Sequence, residues 1–163
     1  SLAWKVALFL GLQSFVFYII LAWLPDILIS KGFDTDEAGW YLSLSQITSL
    51  IGSMLVPTLA SRRKDQCSFV AILLFLETAC LIGLWFGPNA GVSIWVSLLG
   101  IALGGSFSLA LLFIVLRTDD SQTAAELSGM AQSVGYSLAA LGPIVKSLLV
   151  LELAKTGSYL LHN

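Results

Sequence analysis

An α-helix needs about 20 apolar residues to cross the hydrocarbon core of a bilayer, and this chain of 163 residues holds five such stretches, near 6–29, 38–60, 68–86, 92–116 and 124–145. A helix of a soluble bundle carries an apolar stripe and a polar face. These stretches are apolar all round, so lipid is the expected solvent for most of the chain. The expected fold is an all-α membrane protein: five transmembrane helices over 1–145, and over 146–163 a tail too short in apolar run to span.

Composition agrees. Hydrophobic residues make up 57% and charged residues 11%, with a mean hydropathy of +0.90, which leaves too little polar surface for a water-soluble domain. A net charge of −2 without a long basic run argues against a nucleic-acid partner. Cys67 and Cys80 lack the paired spacing of a metal site or disulfide framework; they read as structural thiols, and no metal or cofactor is expected. The first stretch outruns a signal-peptide core and shows no small-residue cleavage pattern, so no cleavable leader is expected. Five spans followed by a stub read as an unfinished set of six.

The breaks between stretches are short: 31–37, 61–66, 87–91 and 117–122. Consecutive helices are therefore antiparallel neighbours. Asp34 three residues before Glu37, and Thr123 three before Glu126, match the helix-starting capping box or its Asp variant. Positive charge in short loops marks the cytoplasmic side. Arg62, Arg63 and Lys64 place the second break there, together with Lys5 and Arg117, against Lys31 alone in the opposite breaks. The N-terminus is expected to be cytoplasmic.

Three glutamines interrupt the apolar stretches. At a rise of about 1.5 Å per residue, Gln13, Gln46 and Gln132 each lie about 12 to 14 Å from one end of their stretch, and so share one depth. An unpaired amide in hydrocarbon is costly, and such groups face a bundle interior or a watered cavity. They act either as interhelical ties or as the wall of a polar cavity. Neighbours at helical spacing favour the cavity: Ser14 and Tyr18 beside Gln13, Ser49 and Ser53 beside Gln46, and the row Ser128, Gln132, Tyr136. Gly100, Gly104 and Ser108 form a small-residue row that reads as close helix packing. Glu77 is the one acid well inside a stretch; intramembrane acids often carry protons, the alternative being a hydrogen-bonded structural side chain. The interval from Gln46 to Pro57 repeats between Gln132 and Pro143, as a three-plus-three inverted repeat would produce.

The run Phe9-Leu-Gly-Leu-Gln-Ser-Phe-Val-Phe-Tyr18, then Trp23-Leu-Pro25, and above all Leu127-Ser-Gly-Met-Ala-Gln-Ser-Val-Gly-Tyr136 followed by Gly142-Pro143, resemble the C-terminal half of the cyanate and nitroimidazole permeases of the major facilitator superfamily. The resemblance implies that the five stretches are helices 7 to 11 of a twelve-helix secondary transporter of the bacterial inner membrane. The tail would lead towards a missing helix 12, and an N-terminal six-helix half would complete the transporter. It implies alternating access for a small polar solute around a cavity lined by helices 7, 8, 10 and 11, on which the residues expected from their own depth and spacing to bind it, Gln13, Ser14, Tyr18, Gln46, Ser49, Ser128, Gln132 and Tyr136, all lie; Glu77, the candidate for proton coupling, falls on a helix that usually stands at the periphery of such a half. Cyanate and a nitroimidazole remain equally open as solutes, as do import and export. A second reading, a non-transporting membrane scaffold whose polar residues only tie helices, also remains open. An enzyme is not expected, because no paired carboxylates, histidine cluster or nucleophile-base pair lies at membrane depth.

Overall fold

In the computed structural model, which describes residues 2–62, 66–117, 120, 122–137, 140, 144 and 147–148, the apolar stretches are helices. They are α1 (Leu2–Ser30), α2 (Thr35–Ser61), α3 (Gln66–Phe86) and α4 (Val92–Arg117), each long and apolar enough to cross a membrane, and α5, helical over 122–137. Arg63, Lys64, Gly142, Pro143, Val145 and Lys146, with the tail from 149, lie outside the described residues.

The chain reverses where its chemistry requires. After α1, Gly32 takes a φ of +94°, a left-handed conformation that glycine adopts without steric cost. The Phe33 amide donates to the Leu28 carbonyl at 3.2 Å and the Gly32 amide to the Ile29 carbonyl at 3.0 Å, the paired bonds of a Schellman ending. Two residues later the expected capping box forms: the Glu37 amide donates to Asp34 Oδ1 at 2.9 Å and the Asp34 amide to Glu37 Oε2 at 3.2 Å. The second expected box does not form around Thr123. Asp120 caps instead, its Oδ1 accepting from the Thr123 amide at 2.7 Å and its Oδ2 from the Thr123 hydroxyl at 2.7 Å. A carboxylate is the stronger acceptor for exposed helix-start amides, so α5 starts one turn earlier and Glu126 is left to accept from Gln122 at 3.1 Å.

The 31–34 and 87–91 loops lie together at one end. Lys31 Nζ donates to the Gly87 carbonyl at 2.9 Å, and Asn89 Nδ2 to the Lys31 carbonyl at 3.2 Å. Trp40, Trp85 and Phe86 are exposed near this end, in keeping with the aromatic belt of a membrane boundary.

The bundle is organised around α4, with 56% of its span buried against 22 to 33% for α1 to α3. Three apolar clusters lie along it. Leu24 and Leu28 of α1 meet Leu84, Val96 and Leu99 near the tied loops. Val56 and Ala60 of α2 meet Leu73 and Leu109. Leu10 of α1 meets Ala110, Ile114 and Ala131, the last on α5. Lipid tails are as apolar as leucine, so helix association depends on close packing and interhelical bonds rather than on escape from water. Small residues supply the closeness in two seams. Between α2 and α4, a Cβ at Gly100 would collide with the Thr48 side chain and the Ser45 carbonyl, and one at Gly104 with Ser49. Between α1 and α5, a Cβ at Gly135 would lie 2.9 Å from both the Gly11 carbonyl and Ser14 Cβ. The helices are thus drawn into an α2/α4 pair and an α1/α5 pair.

Candidate functional site

A cavity of about 410 Å³ lies where these two pairs face each other. Each helix contributes residues one or two turns apart, so the site follows from helical spacing. From α1 come Phe17 and Tyr18; from α2, Gln46, Ser49, Leu50 and Ser53; from α4, Gly104 and Phe107; from α5, Gln132 and Tyr136. Gly104, which lets α4 approach Ser49, also leaves room beside Phe107.

The aromatic wall is ordered edge to face. The Tyr18 and Tyr136 rings stand 5.0 Å apart at 84°, and Phe17 meets Tyr18 at 5.4 Å and 83°. Phe17 also reaches Phe107 at 6.2 Å. These spacings suit the ring quadrupoles, which favour an edge on a face. The Tyr136 hydroxyl donates to Gln132 Oε1 at 3.1 Å, which orients the Gln132 amide so that its NH2 group remains a donor. The lining therefore combines flat apolar faces with neutral donors and acceptors, and among the described residues no charged side chain lines it.

Five of the eight residues expected to bind solute, Tyr18, Gln46, Ser49, Gln132 and Tyr136, meet around this cavity. Gln13, Ser14 and Ser128 stand outside its lining. Gln13 is 2% exposed and its Nε2 donates to Glu77 Oε1 at 2.9 Å. The Ser106 hydroxyl reaches the same oxygen at 2.6 Å, so Glu77 of α3 ties α1 to α4. Ser14 is buried where α1 meets Gly135 of α5, and its hydroxyl donates to the Leu10 carbonyl at 2.8 Å. Ser128 is half-buried on α5, one turn before Gln132.

Phe17, Leu50 and Phe107 belong to the lining without having been singled out from the sequence. Phe17 and Tyr18 follow Gln13 by one turn and a little more; an aromatic pair at that interval is a signal, but in an all-apolar helix phenylalanine carries no mark of which way it faces. Among the described residues no group of His, Cys, Asp or Glu is placed to hold a metal ion. Outside the spans, hydrogen bonds from the Thr123 amide and hydroxyl hold the exposed Asp120 carboxyl below the usual carboxylate range.

Comparison with known proteins agrees with this architecture. The chain is 50% identical over 145 residues to the uncharacterised transporter YycB of Bacillus subtilis (strain 168), covering 88% of the chain and 36% of that protein. It is 43% identical over 142 residues to the 2-nitroimidazole transporter of Escherichia coli (strain K12), covering 87% and 36%. To the cyanate transport protein CynX of the same organism it is 28% identical over 141 residues, covering 86% and 36%. The chain thus spans 36% of the length of each of these relatives. No solved structure matches significantly. The family model of the Major Facilitator Superfamily matches residues 1–143, and this multi-pass membrane chain belongs to that superfamily.

Proposed function

We propose that this chain is the C-terminal half of a secondary transporter, its five spans corresponding to helices 7 to 11 and its N-terminus facing the cytoplasm of a bacterial inner membrane. An N-terminal six-helix half would close the other side of the cavity. Alternating access would proceed by rocking of the two halves around that site, the arrangement general to transporters built from such repeats.

The observation that carries this reading is the cavity between the α1/α5 and α2/α4 pairs, with its facing tyrosines and its glutamines from two helices. Its lining favours a neutral planar solute with hydrogen-bonding edges over a small anion. A flat heteroaromatic ring can lie against Phe17, Tyr18 and Tyr136 and bond at its rim to Gln46, Gln132 and the serines. A bare anion would meet a lining with no cation among its described residues, an unfavourable transfer unless the other half supplied one. A relative named for 2-nitroimidazole fits this preference better than one named for cyanate.

Uptake of 2-nitroimidazole by cells expressing the full-length protein tests the assignment. Gln132→Ala removes one bond at the ring edge and Tyr136→Phe the bond that orients the Gln132 amide, and a hydrogen bond of about 1 to 1.5 kcal/mol corresponds to a five- to tenfold loss of apparent affinity. Unchanged uptake and affinity in both variants, at equal protein levels, would remove the cavity from consideration.

A further inference from the structure

Hydroxyls inside an apolar helix commonly return their proton to a carbonyl three or four residues back. The α2 helix follows this rule at Ser43, Ser45, Thr48 and Ser53, each bonding within its own helix at 2.7 to 3.0 Å. Ser49 departs from it. Its Oγ lies against Gly104 of α4, where a Cβ would stand 2.6 Å away, and among the described residues it bonds to no carbonyl and no side chain. The Gln46 amide, one turn earlier, is equally unengaged among the described residues. On its other flank Gln46 borders a narrow cleft lined by Ile20, Leu24, Leu99 and Leu103, side chains that offer it no bond, and the Ser45 hydroxyl there is already spent on the Leu42 carbonyl. The polar ends of Gln46 and Ser49 are therefore left to the cavity.

The opposite wall is already engaged. The Tyr136 hydroxyl gives its proton to Gln132 Oε1, so what α5 chiefly offers a solute is the Gln132 NH2 group, a donor. The two walls thus differ in kind: α5 presents a donor, and α2 an amide and a hydroxyl whose acceptor lone pairs are vacant. A solute that closes off those acceptors must meet them with an N–H or leave them unpaired, and the unpaired case is the costly one.

We infer that Gln46 and Ser49 together read an N–H on the solute: the site takes planar azoles that carry an unsubstituted ring N–H on one edge and an acceptor on another, and discriminates against the same rings alkylated at that nitrogen. The N–H donates to Gln46 Oε1, with the Ser49 hydroxyl bonding beside it, while a ring nitrogen or nitro oxygen accepts from Gln132. The inference rests on the cavity reading given above and deepens it by assigning each wall one side of the hydrogen-bonding pattern. Gln46 makes no interhelical bond among the described residues, so its substitution acts on the solute without loosening the bundle.

Calorimetric titration of the full-length protein with 2-nitroimidazole and with 1-methyl-2-nitroimidazole, in buffer acid enough to keep the azole N–H, tests this. The N-methyl compound is expected to bind at least about tenfold more weakly, because it loses one bond and leaves an acceptor unpaired. Gln46→Leu, which removes the acceptor at similar volume, should bring 2-nitroimidazole down to the affinity of its N-methyl derivative and so abolish the preference. Ser49→Ala should reduce the preference in part. Gln132→Ala should weaken both solutes by a similar factor and leave the preference intact. Equal affinity of the two solutes for the unsubstituted protein overturns the inference, and so does a preference that persists in Gln46→Leu, which would mark a steric origin; in both cases the cavity reading stands as long as Gln132→Ala weakens binding. Absence of binding by either solute, or binding indifferent to both glutamines, overturns the cavity reading and the inference together.

Discussion

Single residues divide into those that hold the bundle and those that face the cavity, and Gln13 shows how the two differ. Its amide is spent on Glu77, so Gln13→Leu is expected to lower stability by about 1 kcal/mol, read as a lower melting temperature in detergent. The affinity for solute should change much less than in Gln132→Ala. A reversed order of effects would move Gln13 back to the cavity. Asp34 and Asp120 act at helix starts. Asp34→Ala removes one arm of a formed capping box and should cost about 1 kcal/mol. The lowered Asp120 carboxyl binds a proton less readily folded than unfolded. Its contribution is therefore complete above the unfolded carboxylate range and lost as pH falls through the lower folded value. Asp120→Asn should weaken that acid sensitivity in a pH series of thermal melts. No difference between the curves would show that the cap carries no linkage.

At the scale of elements, the spans are legible because crossing hydrocarbon imposes a length, and α1 to α4 match the first four apolar stretches closely. The fixed rise of a helix yields an expected depth for Gln13, Gln46 and Gln132. The direction each side chain takes was not: a helix apolar all round carries no periodic signal of its buried face, and rotation is set by the neighbours. Hence Gln46 and Gln132 reach the cavity while Gln13 turns to Glu77. The start of α5 was missed for a different reason, since Asp120 and Thr123 both suit a cap and only the folded loop decides between them. The small-residue row on α4 was read as packing, and Gly100 and Gly104 lie against α2 backbone. Gly104→Leu should therefore separate α2 from α4, with an overpacking cost of about 1 to 3 kcal/mol. Size-exclusion profiles and melting curves would show it as lost monodispersity; a well-folded variant of unchanged stability would mean the seam is looser than described.

For the whole molecule, two glycine-lined seams frame the cavity. Backbone contact through glycine makes α2/α4 and α1/α5 units, and the cavity is the gap between them. Its neutral, aromatic lining is the central claim about specificity. Calorimetric titration of the full-length protein tests it most directly, with 2-nitroimidazole and cyanate each titrated into the unsubstituted protein and into Gln132→Ala. The expected result is saturable binding of 2-nitroimidazole, weakened about five- to tenfold by the substitution as the loss of one hydrogen bond requires, and weaker or no binding of cyanate. Tighter binding of cyanate, or 2-nitroimidazole binding indifferent to Gln132, would contradict the account.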